Sequence, residues 1–206
     1  MHRIRARASL RVLALALACW SALDGAADPP PAKAGAALRD ALAHGGYVLY
    51  FRHAATDFGQ SDERMSGYED CAQQRNLTER GRADARAIGA AIRQLHIPVA
   101  TVLASPFCRT RETAELVFGR ASPDARVRGG PARTDDAQRY AALRALLSTP
   151  VPAGSNTVIV GHGNPFHAVA GPPYLAEGEA AVVEPLGASG FRIVARVPAE
   201  GWKALE

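Results

Sequence analysis

GYVLYFRH, residues 46–53, is the stretch from which the rest of the chain can be read. An unbroken apolar run, Tyr47 to Phe51, stops abruptly at Arg52 and His53, and the small residues Ala54 and Ala55 follow. Short runs rich in aromatic and branched side chains read as a buried strand. In open α/β sheets, ligands bind beyond the carboxyl ends of the strands. A strand that delivers an arginine and a histidine there offers an anion site containing a nucleophile or a base.

Outward from this strand, the chain alternates helical and strand patterns. Ala36 to His44 reads as a short helix leading in, and Thr56 to Asn76 as a polar connection long enough to form a loop over a site. In LTERGRADARAIGAAIRQL, residues 77–95, Ile88, Ala91, Ile92 and Leu95 fall at helical spacing, with Thr78 as N-cap and Glu79 in the first turn. Gly81 costs stability inside a helix, which points to close packing at that position. TVLA, 101–104, reads as a second strand. Ser105-Pro106 then supplies an N-cap and first helical position for a helix through RTRETAELVF, 109–118. Arg126-Val127 reads as a further short strand, Asp135 to Leu147 as a helix, and TVIV, 157–160, as a third clear strand ended by Gly161-His162-Gly163. AAVVEPL (180–186) and FRIVARV (191–197), joined through Gly187 to Gly190, read as a hairpin at the sheet edge. Strands alternating with helices predict an α/β domain with a largely parallel sheet.

The first 27 residues read as a separate, removable segment. Arg3, Arg5, Arg7 and Arg11 form a basic head, Val12 to Leu23 is mostly apolar, and Gly25-Ala26-Ala27 offers small residues for cleavage. That pattern reads as a secretory signal peptide, short for a membrane span, with cleavage after Ala27; an uncleaved anchor is the alternative. Lipid attachment at Cys19 fits less well, because Ala16-Leu17-Ala18 suits that processing poorly. A Pro-rich linker, 28–35, precedes a domain at 36–206. The predicted location is periplasmic or secreted, with no stable membrane insertion after cleavage. The whole chain carries a net +4, but removing the signal leaves 20 basic and 19 acidic residues, so the charge gives nucleic-acid binding no support. Two cysteines remain, Cys71 and Cys108, available for a disulfide or as two separate thiols. No spacing suits a zinc site.

Three predicted strands end in chemically notable residues: Arg52 and His53, then Ser105-Pro106 leading to Arg109, then His162. Parallel strands would bring these ends to one rim. Two arginines bind phosphate oxygens through planar forks, a helix start near Ser105 adds backbone donors, and a neutral imidazole can attack phosphorus in line. The arginines supply the charge compensation, so neither a metal nor a cofactor is expected. Cys108 is rejected as a nucleophile, since a Cys-x5-Arg cradle would need arginine where Ala114 stands. Arg75 and Arg111 are expected on the surface; His44, His96 and His167 have no assigned role, with His167 expected on a helix surface.

At this point the chain resembles the histidine phosphatase superfamily, which includes the cofactor-dependent phosphoglycerate mutases. FRHA at 51–54 is similar to its Arg-His-Gly motif, with Ala54 in place of glycine. LTERGRADARAIG at 77–89 resembles its first helix, SPFCRTRETA at 105–114 the segment of its second arginine, and VGHG at 160–163 that of its second histidine. The resemblance implies a three-layer α/β/α sandwich with a mostly parallel central sheet. It implies a phosphomonoesterase with His53 as phosphorylated nucleophile and Arg52, Arg109 and His162 as phosphate pocket. The family's glutamate acid has no clear match; Asp135 is the candidate taken forward, beside Asp136 and Asp57. The large mutase insertion is missing, which favours a phosphatase acting on a small phosphorylated substrate. The likeness is to small exported bacterial phosphatases, of which lipopolysaccharide-core sugar phosphatases are one group. A phosphate-binding module with little turnover is the competing class.

Overall fold

We describe residues 32–129 and 135–205 of a computed structural model. They fall within one unit, Pro31–Glu206. The predicted signal segment and residues 28–31 of the linker lie outside the described residues.

The elements alternate as the pattern requires. In chain order they are α1 (Gly35–His44), β1 (Val48–Arg52), α2 (Glu79–Gln94), β2 (Val99–Ala104), α3 (Cys108–Phe118) and β3 (Ser122–Pro123). Then follow single turns α4 (Ala125–Arg128) and α5 (Asp136–Arg139), α6 (Ala141–Ser148), β4 (Asn156–Gly161), α7 (Gly163–Ala170), β5 (Ala180–Pro185) and β6 (Phe191–Val197). Short 3-10 helices occur at Cys71–Gln73, Gly187–Ser189 and Ala199–Leu205. The strands form one six-stranded sheet in the order β3-β2-β4-β1-β5-β6. β3, β2, β4 and β1 are parallel to one another. β5 runs antiparallel to β1 and forms a hairpin with β6, which lies at the edge.

Both faces of the sheet are covered, which is why its central strands read as unbroken apolar runs rather than alternating ones. Along β1, Leu49 and Phe51 point into a core with Leu38 and Leu42 of α1, Ile88 and Ile92 of α2, and Trp202. Val48 and Tyr50 point the other way, toward Val127, Leu143, Leu147 and Phe166 from α4, α6 and α7. Phe51 stacks on Trp202, and Tyr50 on Phe166 at 4.5 Å between ring centroids. Each such side chain removed from water contributes roughly 1.5–3 kcal/mol before conformational entropy is subtracted. The result is a three-layer α/β/α sandwich.

Local details follow from single residues. Thr78 caps α2, its hydroxyl accepting from Gly81 N–H at 2.9 Å. Gly81 allows that helix start to lie against the backbone of Ala55, where a Cβ would collide with the Ala55 carbonyl. Two expectations are corrected. Arg126 and Val127 belong to the turn α4, which Asp124 caps, while the edge strand is the two residues Ser122–Pro123. The helix expected over 135–147 is broken at Tyr140 into α5 and α6.

Candidate active site

The register of the parallel strands places the site. Arg52 at the end of β1 lies opposite Gly161 at the end of β4, and Ala104 at the end of β2 opposite Val160. The ladder continues one residue further, with His53 N–H donating to the Gly161 carbonyl and Ser105 N–H to the Val160 carbonyl. Arg52-His53, Ser105 and His162 are therefore level neighbours on one rim. They open on a cleft of about 280 Å³ lined by Arg52, His53, Arg109 and His162, and also by Phe107 and Tyr174.

His53 is sealed, at 2% exposure. Its Nδ1 lies 2.9 Å from the Ala54 carbonyl, which can only accept, so Nδ1 carries the proton and Nε2 the lone pair. Burial pushes its pKa down to about 3, and Arg109, Arg52 and Arg75 push the same way against the Ala54 hydrogen bond. The imidazole is thus neutral and nucleophilic at neutral pH. Ala54 sits here without strain: it is absent from the residues with positive φ, among which His96 is the one non-glycine in the described chain. Its N–H donates to Thr113 Oγ1 on α3 at 3.1 Å.

His162 is held from both sides. The buried Tyr50 hydroxyl donates to its carbonyl at 2.9 Å and accepts from its N–H at 3.0 Å. The flanking glycines make room for tyrosines: a Cβ on Gly161 would strike the Tyr50 hydroxyl, and one on Gly163 the Tyr174 ring. Burial, together with Arg109 and His53, keeps His162 well below the usual imidazole range. Its Nε2 lies 2.8 Å from Ser105 Oγ. That contact explains why Ser105 does not cap α3 as expected. The helix begins at Cys108 after Phe107, and its first N–H donates to Gln74 Oε1 from the long loop.

The arginines are positioned by backbone and rings. Arg52 donates to the Leu175 carbonyl at 2.8 Å and lies 5.3 Å from the Tyr174 centroid. Arg109, 5% exposed, donates to Asp62 Oδ1 at 3.0 Å and lies 4.5 Å from the Phe107 centroid. Burial lowers its pKa, opposed by Asp62. Asp62 stays below the usual carboxylate range: burial would raise it, but the Arg75 N–H and Arg109 outweigh that. The Nε atoms of Arg52, Arg75 and Arg109 are buried without a hydrogen-bond partner among the described residues, as is Trp202 Nε1 in the core.

The structure does not bring Asp135 to this cleft. It is exposed, and its Oδ1 accepts from Gln138 N–H at the start of α5. Asp57 is likewise exposed and accepts from Gly59 N–H, and the side chain of Asp136 lies outside the described residues. The carboxylate beside His53 is Glu177, with Oε1 3.8 Å from Nδ1, 3.5 Å from Arg52 and accepting from Thr56 Oγ1 at 2.7 Å. Nothing in the sequence marks it, because it sits in a loop before β5 with no motif around it. Arg75, expected on the surface, lines the cleft, whereas Arg111 pairs with Glu69 away from it. Cys71 and Cys108 are joined in a disulfide, tying the long loop to the first residue of α3. Among the described residues, no three His, Cys, Asp or Glu side chains cluster as metal ligands, and no helix is long and apolar enough to cross a membrane.

Residues 48–130 match the sequence model of the histidine phosphatase superfamily (branch 1). The fold is that of histidine phosphatases. The structure of the protein histidine phosphatase SixA complexed with tungstate aligns with a TM-score of 0.55 at 17% identity, covering 74% of this chain and 97% of that one. A mycobacterial glucosyl-3-phosphoglycerate phosphatase with inorganic phosphate aligns at 0.53 and 18%, covering 75% and 99%. A protein described as mycobacterial hydrolase 1 aligns at 0.55 and 15%, covering 73% and 97%. No curated protein sequence matches the chain.

Proposed function

We propose that the chain is a histidine phosphatase, a metal-independent phosphomonoesterase working through a phosphohistidine on His53. The observation that carries this is the hydrogen bond from His53 Nδ1 to the Ala54 carbonyl, which leaves Nε2 as the lone-pair nitrogen in a cleft lined by Arg52, Arg109 and His162. Nε2 attacks phosphorus, the P–O bond to the leaving group breaks, and the arginines take up charge on the equatorial oxygens. Water then attacks the phosphohistidine, releasing inorganic phosphate and restoring neutral imidazole. Glu177 faces the Nδ1 side, where it favours the positive charge that phosphorylation places on the ring. No described carboxylate lines the cleft as a proton donor, so good leaving groups such as aryl oxides are the preferred ones. The basic, apolar N-terminal pattern and the Cys71–Cys108 disulfide support an exported enzyme.

The test is phosphate release from an aryl phosphate by the purified protein, with and without chelator, and an alkaline denaturing quench at short times to trap phosphoenzyme. Chelator-resistant release with an acid-labile, base-stable phosphoenzyme that is absent from His53→Ala supports the reading. Activity surviving in His53→Ala rejects the nucleophile. Vanadate binding without any turnover identifies a phosphate-binding module instead.

A further inference from the structure

The long loop beside the cleft is held by polar contacts and one covalent bond. From Asp57 to Asn76 no apolar side chain is buried, and Gln74 is the one buried residue. The loop's neck closes where Asp57 N–H donates to the Asn76 carbonyl at 3.0 Å and Thr56 bridges to Leu77. Its far part meets α3 through the Cys71–Cys108 disulfide, the half-buried Tyr68 ring against Phe107, and an ion pair of exposed Glu69 with Arg111. Exposed ion pairs contribute little, so a loop without buried apolar contacts depends on the bond.

Arg109, the residue after Cys108, takes its position from this loop. Its Nη1 donates to Asp62 Oδ1 at 3.0 Å and to the Arg75 carbonyl at 3.3 Å, and both acceptors are loop groups. Asp62 Oδ1 also accepts from Arg75 N–H at 2.9 Å. The buried Gln74 joins the two sides: its Oε1 accepts from Cys108 N–H at 2.9 Å, and its Nε2 donates to the Tyr68 carbonyl at 3.0 Å. The disulfide closes a ring of contacts whose other members orient a phosphate-binding guanidinium.

The bond is also reachable from outside. Both cysteines line a second cleft, of about 460 Å³, which shares no lining residue with the phosphate cleft. Arg111 Nη2 stands 4.0 Å from each sulfur, where its charge favours a departing thiolate. We propose that Cys71 and Cys108 are a positioning pair for Arg109 and that their disulfide is a redox switch. The oxidised form holds Arg109 ready for phosphate; reduction by a dithiol frees the loop and weakens phosphate binding without unfolding the domain. In the exchange, one thiolate of the dithiol attacks one protein sulfur and the other protein sulfur leaves as thiolate. The second thiolate of the dithiol then displaces the first protein sulfur. The protein gains two electrons and two protons, and the dithiol leaves as its own disulfide. The phosphatase reading is needed for the kinetic consequence alone.

The experiment compares the oxidised protein with protein reduced by dithiothreitol and desalted under argon, thiol titration confirming the cleavage. Near-ultraviolet circular dichroism and hydrogen exchange follow the structure, calorimetry follows orthophosphate binding, and aryl phosphate hydrolysis follows turnover. Reduction should speed exchange within residues 57–76 and leave the sheet protected. Orthophosphate affinity and kcat/KM should each fall by about tenfold, the scale of one charge-assisted contact, and recover on treatment with oxidised glutathione. In Arg109→Gln, where no guanidinium remains to be placed, reduction should change either value by less than about twofold. An equal loss in Arg109→Gln and wild type overturns the proposal, as does an orthophosphate affinity indifferent to reduction. Domain-wide unfolding on reduction overturns it too, since the bond would then staple the whole fold. If the oxidised protein hydrolyses nothing, the phosphatase reading fails, and the calorimetric comparison still decides the switch.

Discussion

At the rim where β1, β2 and β4 begin, Asn156 is fully buried and its amide is saturated. Nδ2 donates to the Leu42 carbonyl at 2.8 Å and the Pro98 carbonyl at 2.9 Å, and Oδ1 accepts from Tyr47 N–H at 3.2 Å. At the rim where the same strands end, Arg52 and Arg109 keep buried Nε donors with no partner, and two histidines are held neutral by burial. The two rims share strands and solvent exclusion, yet one completes its own hydrogen bonding and the other leaves arginine donors without a protein partner beside a cleft. A buried polar side chain that only holds the fold is normally saturated. One that is left open, beside others of the same kind, is arranged for a ligand.

The sharpest way to break this contrast is His53→Ala. It should reduce phosphate release at least about 10³-fold while leaving the melting temperature close to that of the wild type, because the nucleophile is removed and the surrounding core is not. Steady-state kinetics and a thermal melt on the same preparation check it. Arg109→Gln is next, with an expected loss of about 10²-fold in kcat, the scale for removing one preorganised charge donor; an effect on KM alone would show that Arg109 only holds the ground state. Asn156→Ala should reverse the pattern. It leaves Tyr47 N–H without its acceptor and removes one donor each from the Leu42 and Pro98 carbonyls, and should cost about 2 kcal/mol of stability by denaturant titration, with kcat/KM of the folded protein unchanged.

A further expected effect is on pH. His53 titrates near 3 in the folded protein, below its unfolded value near 6.5, so the unfolded chain binds more protons between those limits. Stability contributed by neutral His53 is therefore present above about pH 6.5 and is lost as the pH falls toward 3. Melts recorded across that window should show a shallower acid loss for His53→Ala than for the wild type. An identical slope in both would mean that His53 is not held neutral by its surroundings.

Much of the site is legible without coordinates, for reasons visible in single residues. Arg52 and His53 close an apolar run, and His162 stands between two glycines; both are local patterns, because strand burial and close backbone approach leave local marks. The β5–β6 hairpin is equally legible from its two apolar runs and the glycines between them. Other features leave no local mark. Ser105 looks like a helix cap because serine before proline usually is one; only the arrival of His162 from β4 turns its hydroxyl to the imidazole. Glu177 and Arg75 have no surrounding motif, and each gains meaning only from what the loops place beside it. Arg126 and Val127 suggest a strand because a branched residue beside an arginine is ambiguous over so short a run, and the capping of α4 by Asp124 decides otherwise.

By itself, then, the sequence determined the alternation of strands and helices, the burial of the sheet on both faces, and the chemical type of the groups at three strand ends. These depend on side-chain polarity and spacing within a few residues. Only the tertiary structure decided which nitrogen of His53 is free and which carboxylates stand behind Arg52 and Arg109. Those are matters of distance between segments far apart in the chain, and a charge or a lone pair acquires its role from the neighbours that folding brings to it.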